Sequence, residues 1–312
     1  MNTQRIEISV VIPIYNEADN IPDLFKRLKA VFDANRLPYE IVFVNDGSVD
    51  ASFSILADLR KNHRGVVKVV NFSRNFGHQL AISAGMKYCR GQAAVIMDAD
   101  LQDPPEIIDD FVKKWKEGFE VVYGRRKERE GETFFKKFTA QMFYKLIRAT
   151  TSIDIQENVG DFYLLDRKVL DIINSLTERH RFMRGLVAWV GFKRAGVEYV
   201  RKPRLSGTTK YSLWKMVKFS FDAMTSFSFA PLRLVSSLGA VISVISFLAI
   251  LVIIYMRLFT HETITGWSST MATILFIGGV QLLAIGIIGE YIARIGDDVK
   301  SRPLYAVREF LD

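Results

Sequence analysis

The chain has 312 residues, with 42 Lys and Arg against 34 Asp and Glu, a formal charge of +8 and 49% hydrophobic side chains. This balance excludes a disordered, collagen-like or coiled-coil chain, and a mean hydropathy of +0.12 argues against a purely soluble protein. The single cysteine, Cys89, excludes a disulfide framework and a cysteine-built zinc site.

Arg5 and Glu7 stand where the apolar core of a targeting peptide would lie, so no signal peptide is expected. Apolar, β-branched runs then follow at 8–12, 41–44, 66–70, 93–97 and 119–123, separated by amphipathic stretches near 20–34, 50–62, 77–90 and 105–117. Near-continuous apolar strands alternating with helices predict an α/β domain whose mostly parallel sheet is covered by helices on both faces. Ligands of such sheets bind beyond the carboxyl ends of the strands. Three polar clusters fall there: PIYNE (13–17), NDGSVD (45–50) and DADLQDPPE (98–106). They are expected to converge on one crevice.

Neither G-x-G-x-x-G nor G-x-x-x-x-G-K-[ST] occurs, which removes support for dinucleotide dehydrogenases and P-loop NTPases, and no HExxH is present. The four histidines are scattered. Asp98 and Asp100 form an acid-x-acid pair, a pattern that composition alone produces about four times in such a chain. Its place gives it weight, because two carboxylates ending a buried strand are costly unless something positive neutralises them. Hard oxygen ligands of this kind suit Mg²⁺ or Mn²⁺, completed by water and phosphate oxygens.

The stretch 199–221 carries Arg201, Lys202, Arg204, Lys210, Lys215 and Lys218 and no acid. Within it and just beyond, Trp214, Val217, Phe221, Met224 and Phe227 recur at helical spacing. The pattern suits a helix lying in lipid headgroups, and equally a surface helix of the soluble domain. Two uncharged runs follow, 234–256 and 263–289. The first, at ~1.5 Å per residue, spans about 34 Å, enough for a bilayer's hydrocarbon core. Residues 231–312 hold six basic and six acidic side chains, so the whole net charge lies on residues 1–230. Lys215, Lys218 and Arg233 precede the first span, and Arg294, Lys300, Arg302 and Arg308 follow the second, whereas the connecting loop has only Arg257. Both termini are therefore expected in the cytoplasm.

VVIPIYNE (10–17), VNDGS (44–48), SRNFGHQLAISAG (73–85), DADLQDPPE (98–106), NVGDF (158–162), FMRGLVAWVGF (182–192) and GTTKYS (207–212), followed by two spans, resemble the family 2 polyprenyl-phosphate glycosyltransferases. The likeness covers essentially the whole chain and is strongest to bactoprenol glucosyltransferases, with dolichol-phosphate mannose synthases more distant. It implies a GT-A-type catalytic domain over residues 1–211, an interfacial amphipathic segment over 212–230, a two-helix anchor over 231–293 with spans near 234–256 and 266–289, and a cytoplasmic tail over 294–312. It implies inverting transfer of a sugar from a nucleotide diphosphate to polyprenyl (undecaprenyl) phosphate at the cytoplasmic membrane. UDP-glucose is the leading donor, with UDP-N-acetylglucosamine, UDP-galactose, modified arabinose and GDP-mannose as alternatives.

The resemblance also implies residue roles. Pro13, Tyr15, Glu17 and Asp46 would hold the nucleotide, with Gln102 and Arg125 assisting, although Pro13 and Tyr15 also suit simple turn chemistry after a strand. Asp98 and Asp100 would take Mg²⁺ or Mn²⁺ and the diphosphate, and Asp161 would stand near the acceptor. Arg184, Arg204 and Lys210 would grip diphosphate or lipid phosphate, where the fork of an arginine binds in two bonds. Tyr163 stands where an Arg is common in the family and Thr208 where an acid is common, which leaves the sugar open. The implied partners are nucleotide sugar, polyprenyl phosphate, the bilayer and further copies of the chain as a homotetramer, with no nucleic acid. A processive polysaccharide synthase fits less well, because no Arg-Trp pair occurs and two spans enclose no polymer channel. A membrane-tethered nucleotide-sugar sensor would not need the basic acceptor-side segment.

Overall fold

The computed structural model describes residues 6–127, 156, 159–200, 229–259 and 266–312, and the backbone alone at some positions within the two long C-terminal helices. The chain divides into two compact units, one of Met1–Lys218 with Pro303–Asp312 and one of Phe219–Arg302.

The first unit is built on an eight-stranded sheet: β1 (Ile8–Ile14), β2 (Tyr39–Asn45), β3 (Val67–Phe72), β4 (Ala93–Ile96), β5 (Val121–Arg126), β6 (Val159–Asp166), β7 (Arg194–Tyr199) and β8 (Val307–Leu311), in the order β7-β5-β6-β4-β1-β2-β3-β8. β1 is wholly buried, as its unbroken ISVVIPI run demands of a strand covered on both faces. It pairs in parallel with β2 and β4, and β2 with β3, whereas β6 runs antiparallel between β4 and β5, and β8 antiparallel along β3. The sheet is thus mixed, with a parallel centre, one antiparallel strand set inside it and another at its edge. Because β2 and β4 lie on opposite sides of β1, the strand order reverses there, and a crevice opens beyond the carboxyl ends. Pro13 sits in β1 past Val11, the last residue that β4 matches, so its missing N–H costs no bond to that neighbour.

Helices cover both faces. On one side pack α1 (Ile21–Asn35), α2 (Ser52–Asn62) and α4 (Ile108–Lys116). In α1 the buried Ile21, Leu24, Phe25, Leu28, Val31 and Phe32 recur at three- and four-residue spacing and enter the main core with Ile8, Val10 and Ile12. On the other side lie α3 (His78–Tyr88), α5 (Arg167–Ser175) and α6 (Met183–Trp189). Helix α3 approaches the sheet closely because it carries Gly85, where a Cβ would stand 2.2 Å from Val11 Cγ1.

The second unit consists of α7 (Ala230–Phe259) and α8 (Trp267–Val299), which pack on each other, with Phe229 stacked on Tyr291 at 6.1 Å. Pro231–Ala249 and Phe276–Val299 are long and apolar enough to cross a membrane, with mean hydropathies of 2.0 and 1.7. The first expected span, 234–256, lies inside α7, and the second, 266–289, begins one residue before α8, whose more apolar stretch is displaced toward its end. The expected interfacial segment lies outside the described residues apart from its last two positions. The last residues, expected as a tail, instead supply β8 to the sheet of the first unit.

Candidate active site

The crevice is assembled from five strand-end segments. After β1, Asn16 adopts a left-handed φ of 55° and its backbone N–H donates to Ser48 Oγ at 3.0 Å, while Val49 N–H donates to Asn16 Oδ1 at 2.9 Å. Glu17 N–H donates to Ser52 Oγ at 3.0 Å, and its carboxylate accepts from Asn20 Nδ2 at 2.6 Å. The first two polar clusters are therefore tied together. Tyr15 presents its ring at the surface, 41% exposed.

After β2, Asp46 is buried at 2% exposure, and its carboxylate accepts from Phe76 N–H at 2.7 Å and Gly77 N–H at 3.0 Å. Burial pushes this carboxyl up, and the two amides act against that rise. Besides the nucleotide contact expected of it, Asp46 thus anchors the loop that opens α3. Gly47 is required here: its φ is +68°, and a Cβ would lie 2.4 Å from the carbonyl carbon of Arg74.

The centre of the crevice is a chain of alternating charge. His78, the first residue of α3, places Nε2 3.4 Å from Asp98 Oδ1 and 3.6 Å from Asp161 Oδ2. Arg184 Nε donates to Asp161 Oδ1 at 2.9 Å, and Gln79 Nε2 donates to Asp161 Oδ2 at 3.2 Å. Gln79 in turn accepts from Met183 N–H at 2.9 Å, which joins the starts of α3 and α6.

Burial opposes a charged imidazole, but the carboxylates of Asp98 and Asp161 outweigh it and raise His78 to about 9. Asp98 is pushed up to about 6, first by burial and then by the negative charges of Asp161, Asp103 and Asp100, with His78 acting against them. For Asp161 burial is overcome by Arg184 and His78, which hold its carboxyl well below the usual carboxylate range.

After β4, Asp100 Oδ1 accepts from Gln102 N–H at 3.1 Å, across a Leu101 held at φ 58°. A leucine in that conformation is strained, and such strain persists where the surroundings impose it. Asp103 is fully buried and accepts from Tyr199 Oη at 2.5 Å, with Arg126 at 4.0 Å. Arg125 is exposed in β5 opposite Val159. Arg204 and Lys210 lie outside the described residues.

Among the described residues no group of three or more His, Cys, Asp and Glu side chains is arranged to hold a metal ion alone. Asp98 and Asp100 nonetheless fit a divalent cation. They are hard oxygen donors at the end of one strand, in a site where burial and then the neighbouring acids raise Asp98, and Mg²⁺-type ions complete their shell with water and substrate phosphate.

His78 and Gln79 were missed by the sequence reading, although they lie within a motif that carried the resemblance. The available signal was a histidine at the start of a helix directly after a parallel strand, where ligands of open α/β sheets bind.

An open, helix-covered sheet with carboxylates gathered at its switch point is the architecture of a GT-A-type glycosyltransferase, and the chain belongs to glycosyl transferase family 2, whose model matches residues 9–173. Residues 230–295 match a second model, the GtrB C-terminal hairpin. The chain is 52% identical over 310 residues to the uncharacterized glycosyltransferase YkcC of Bacillus subtilis, covering 98% of this chain and 95% of that protein. It is 40% identical over 304 residues to the SfII prophage-derived bactoprenol glucosyl transferase of Shigella flexneri, covering 97% and 98%. Among solved structures it resembles glucosyl-3-phosphoglycerate synthase from Mycobacterium tuberculosis in complex with Mn²⁺, UDP-glucose and phosphoglyceric acid, at 18% identity, 70% and 77% coverage and a TM-score of 0.46.

Proposed function

We propose that this glycosyltransferase moves glucose from UDP-glucose onto the phosphate of undecaprenyl phosphate at the cytoplasmic face of the membrane, with inversion at the anomeric carbon. The observation that carries the reading is the run Asp98, His78, Asp161, Arg184 across the crevice, in a chain that continues into two helices long enough to span a bilayer. The names of the bactoprenol relatives support the lipid acceptor and the sugar.

In the step proposed, an acceptor phosphate oxygen forms a bond to the anomeric carbon as that carbon's bond to the diphosphate breaks, and the diphosphate leaves with the electron pair. A phosphate monoester has its second pKa near ~6 and is mostly ionised at neutral pH, so it needs orientation more than a strong base. Asp161 suits orientation: a carboxylate held ionised by Arg184 and His78 is a poor proton acceptor. Asp161 keeps Arg184 and His78 in place, and Arg184, with Arg204 and Lys210, meets phosphate charge. Pro13, Tyr15, Glu17, Asp46, Gln102 and Arg125 line or support the nucleotide end. Mg²⁺ or Mn²⁺, when bound by Asp98 and Asp100, offsets the charge growing on the diphosphate.

Residues 303–312 belong to the same compact unit as residues 1–218, so two crossings return the chain to the side it left. This supports both ends on one side of the membrane, and the Lys and Arg that flank the two helices favour the cytoplasm. Assembly as a homotetramer is proposed from the family resemblance, and native mass analysis in mild detergent checks it.

The deciding experiment offers purified protein and undecaprenyl phosphate labelled UDP-glucose, UDP-galactose, UDP-N-acetylglucosamine and GDP-mannose in parallel, with Mg²⁺, Mn²⁺ or EDTA. A chloroform-soluble product from UDP-glucose that EDTA abolishes is expected, and Asp100→Asn is expected to lose most of it while still inserting in membranes. Product from another donor alone would replace the sugar, and EDTA-resistant transfer would remove the metal role.

A further inference from the structure

We propose that Tyr305–Arg308, in the segment that follows the second long helix, is a positioning element of the transfer site, with Tyr305 and Arg308 fixing the loop that presents His78. The inference rests on reading the crevice as that site.

The segment makes contacts on both sides of α3, and only those before it reach the loop that presents His78. Before α3, Ser73 N–H donates to Ala306 O at 3.0 Å, and Arg308 donates through Nη2 to Ser73 O at 3.1 Å. The Tyr305 ring stacks on Phe72 at 4.9 Å, and Phe72 meets Phe76 edge-on at 5.6 Å. Beyond α3, Phe310 packs on Tyr88 at 4.7 Å, and Arg90 pairs with Asp312 at 2.6 Å.

The register explains why Arg308 reaches the loop. Asn71 faces Glu309 but Phe72 faces Val307, so Arg308 is an extra residue on β8. A bulge of this kind leaves one residue unpaired and redirects its side chain. Here it is redirected to Ser73, where β3 ends.

The loop 73–77 is thereby held between two walls. Asp46 takes the amides of Phe76 and Gly77 on one side, and Tyr305, Ala306 and Arg308 hold Phe72 and Ser73 on the other. His78 follows directly, so a loop that drifts carries the imidazole away from Asp98 and Asp161. At its far end β8 is secured separately: Asp312 Oδ1 lies 3.3 Å from Lys68 Nζ, which pairs with buried Glu40 at 2.7 Å, and Arg60 donates to the Asp312 main-chain oxygen. That end lies away from the crevice, at the amino end of β3, and supplies an internal control.

The test compares full-length Tyr305→Ala, Arg308→Ala and Asp312→Asn, with Tyr305→Phe and Arg308→Lys as conservative partners. Each is measured for kcat, donor KM, melting temperature, and hydrogen exchange of the Phe76 and Gly77 amides. Tyr305→Ala and Arg308→Ala are expected to lower kcat about 10- to 100-fold, as misplacement of a reacting group does, and to speed exchange at both amides. Tyr305→Phe and Arg308→Lys are expected to restore both readouts, and Asp312→Asn to lower melting without changing either. Unchanged exchange in Tyr305→Ala, or a fall in kcat that tracks melting temperature equally in Asp312→Asn, would overturn the proposal. A wild-type protein that consumes no donor strikes the site reading instead, and the amide exchange then still decides whether the strand holds the loop.

Discussion

At the scale of single residues, the crevice separates two carboxylates by environment. Asp98 is raised toward neutrality by burial and by its acidic neighbours, whereas Asp161 is held ionised by Arg184 and His78. Because Asp161 loses its proton well below the usual range, it is already charged at every pH where the acceptor phosphate, with its pKa near ~6, gains its second charge. Asp161→Asn is therefore expected to lower kcat about 10- to 100-fold through misplacement, while the acid side of the pH profile keeps its midpoint. Disappearance of that acid limb in the variant would make Asp161 the base. Asp98 and Asp100 were legible as candidates in the sequence because acids rarely end a buried strand without a task, and Asp161 only through the motif that carries the family resemblance. His78 was not, since it meets Asp161, 83 positions away, only through the fold, and its neighbour Gln79 reaches the same carboxylate. Asp46 was legible as a site residue, but its grip on the Phe76 and Gly77 amides was not, because no local pattern announces a backbone contact across 30 residues.

At the scale of elements, packing of α3 on the sheet decides where the histidine stands. Gly85 lets the helix lie against Val11 and Val44, and an added methyl would meet the side chains of both. Gly85→Ala is expected to destabilise the first unit by about 1–3 kcal/mol, the usual cost of overpacking a filled core, read as a lower melting temperature. Gly65→Ala is the control for space, since nothing lies within 4 Å of its Cβ position, although its φ of +88° adds strain of its own. The first four strands could be read because each carries an apolar run that fills both faces of the parallel centre, and β5 only from its opening Val121, Val122 and Tyr123. β6 opens with Val159, Gly160 and Asp161, residues that read as a motif rather than a strand. β7 and β8, RAGVEY and VREFL, lie at the two edges of the sheet, where charge is tolerated and often needed, so their hydrophobic signal is weak.

At the scale of the whole molecule, the first unit is interrupted by the second: residues 219–302 are inserted between its body and its last strand. If both long helices cross the membrane, reporters fused at the two ends must give the same compartment signal, and a reporter inserted between the two helices the opposite one. A span that fails to cross would separate the two ends. The two long apolar helices were legible because each carries an uncharged run in the sequence, and the return to the sheet was not, because pairing of β8 with β3 depends on a partner far upstream. That pairing also sets an order of events during synthesis. Arg308 and the Ser73 oxygen it grips are 235 positions apart, with both long helices between them. While the ribosome is still making α7 and α8, the edge of β3 has no neighbour, and an uncovered edge strand invites pairing with other chains. The sheet is closed only after the hairpin has left the ribosome, so completion of the catalytic fold waits on the synthesis of two long apolar helices that take no part in its core.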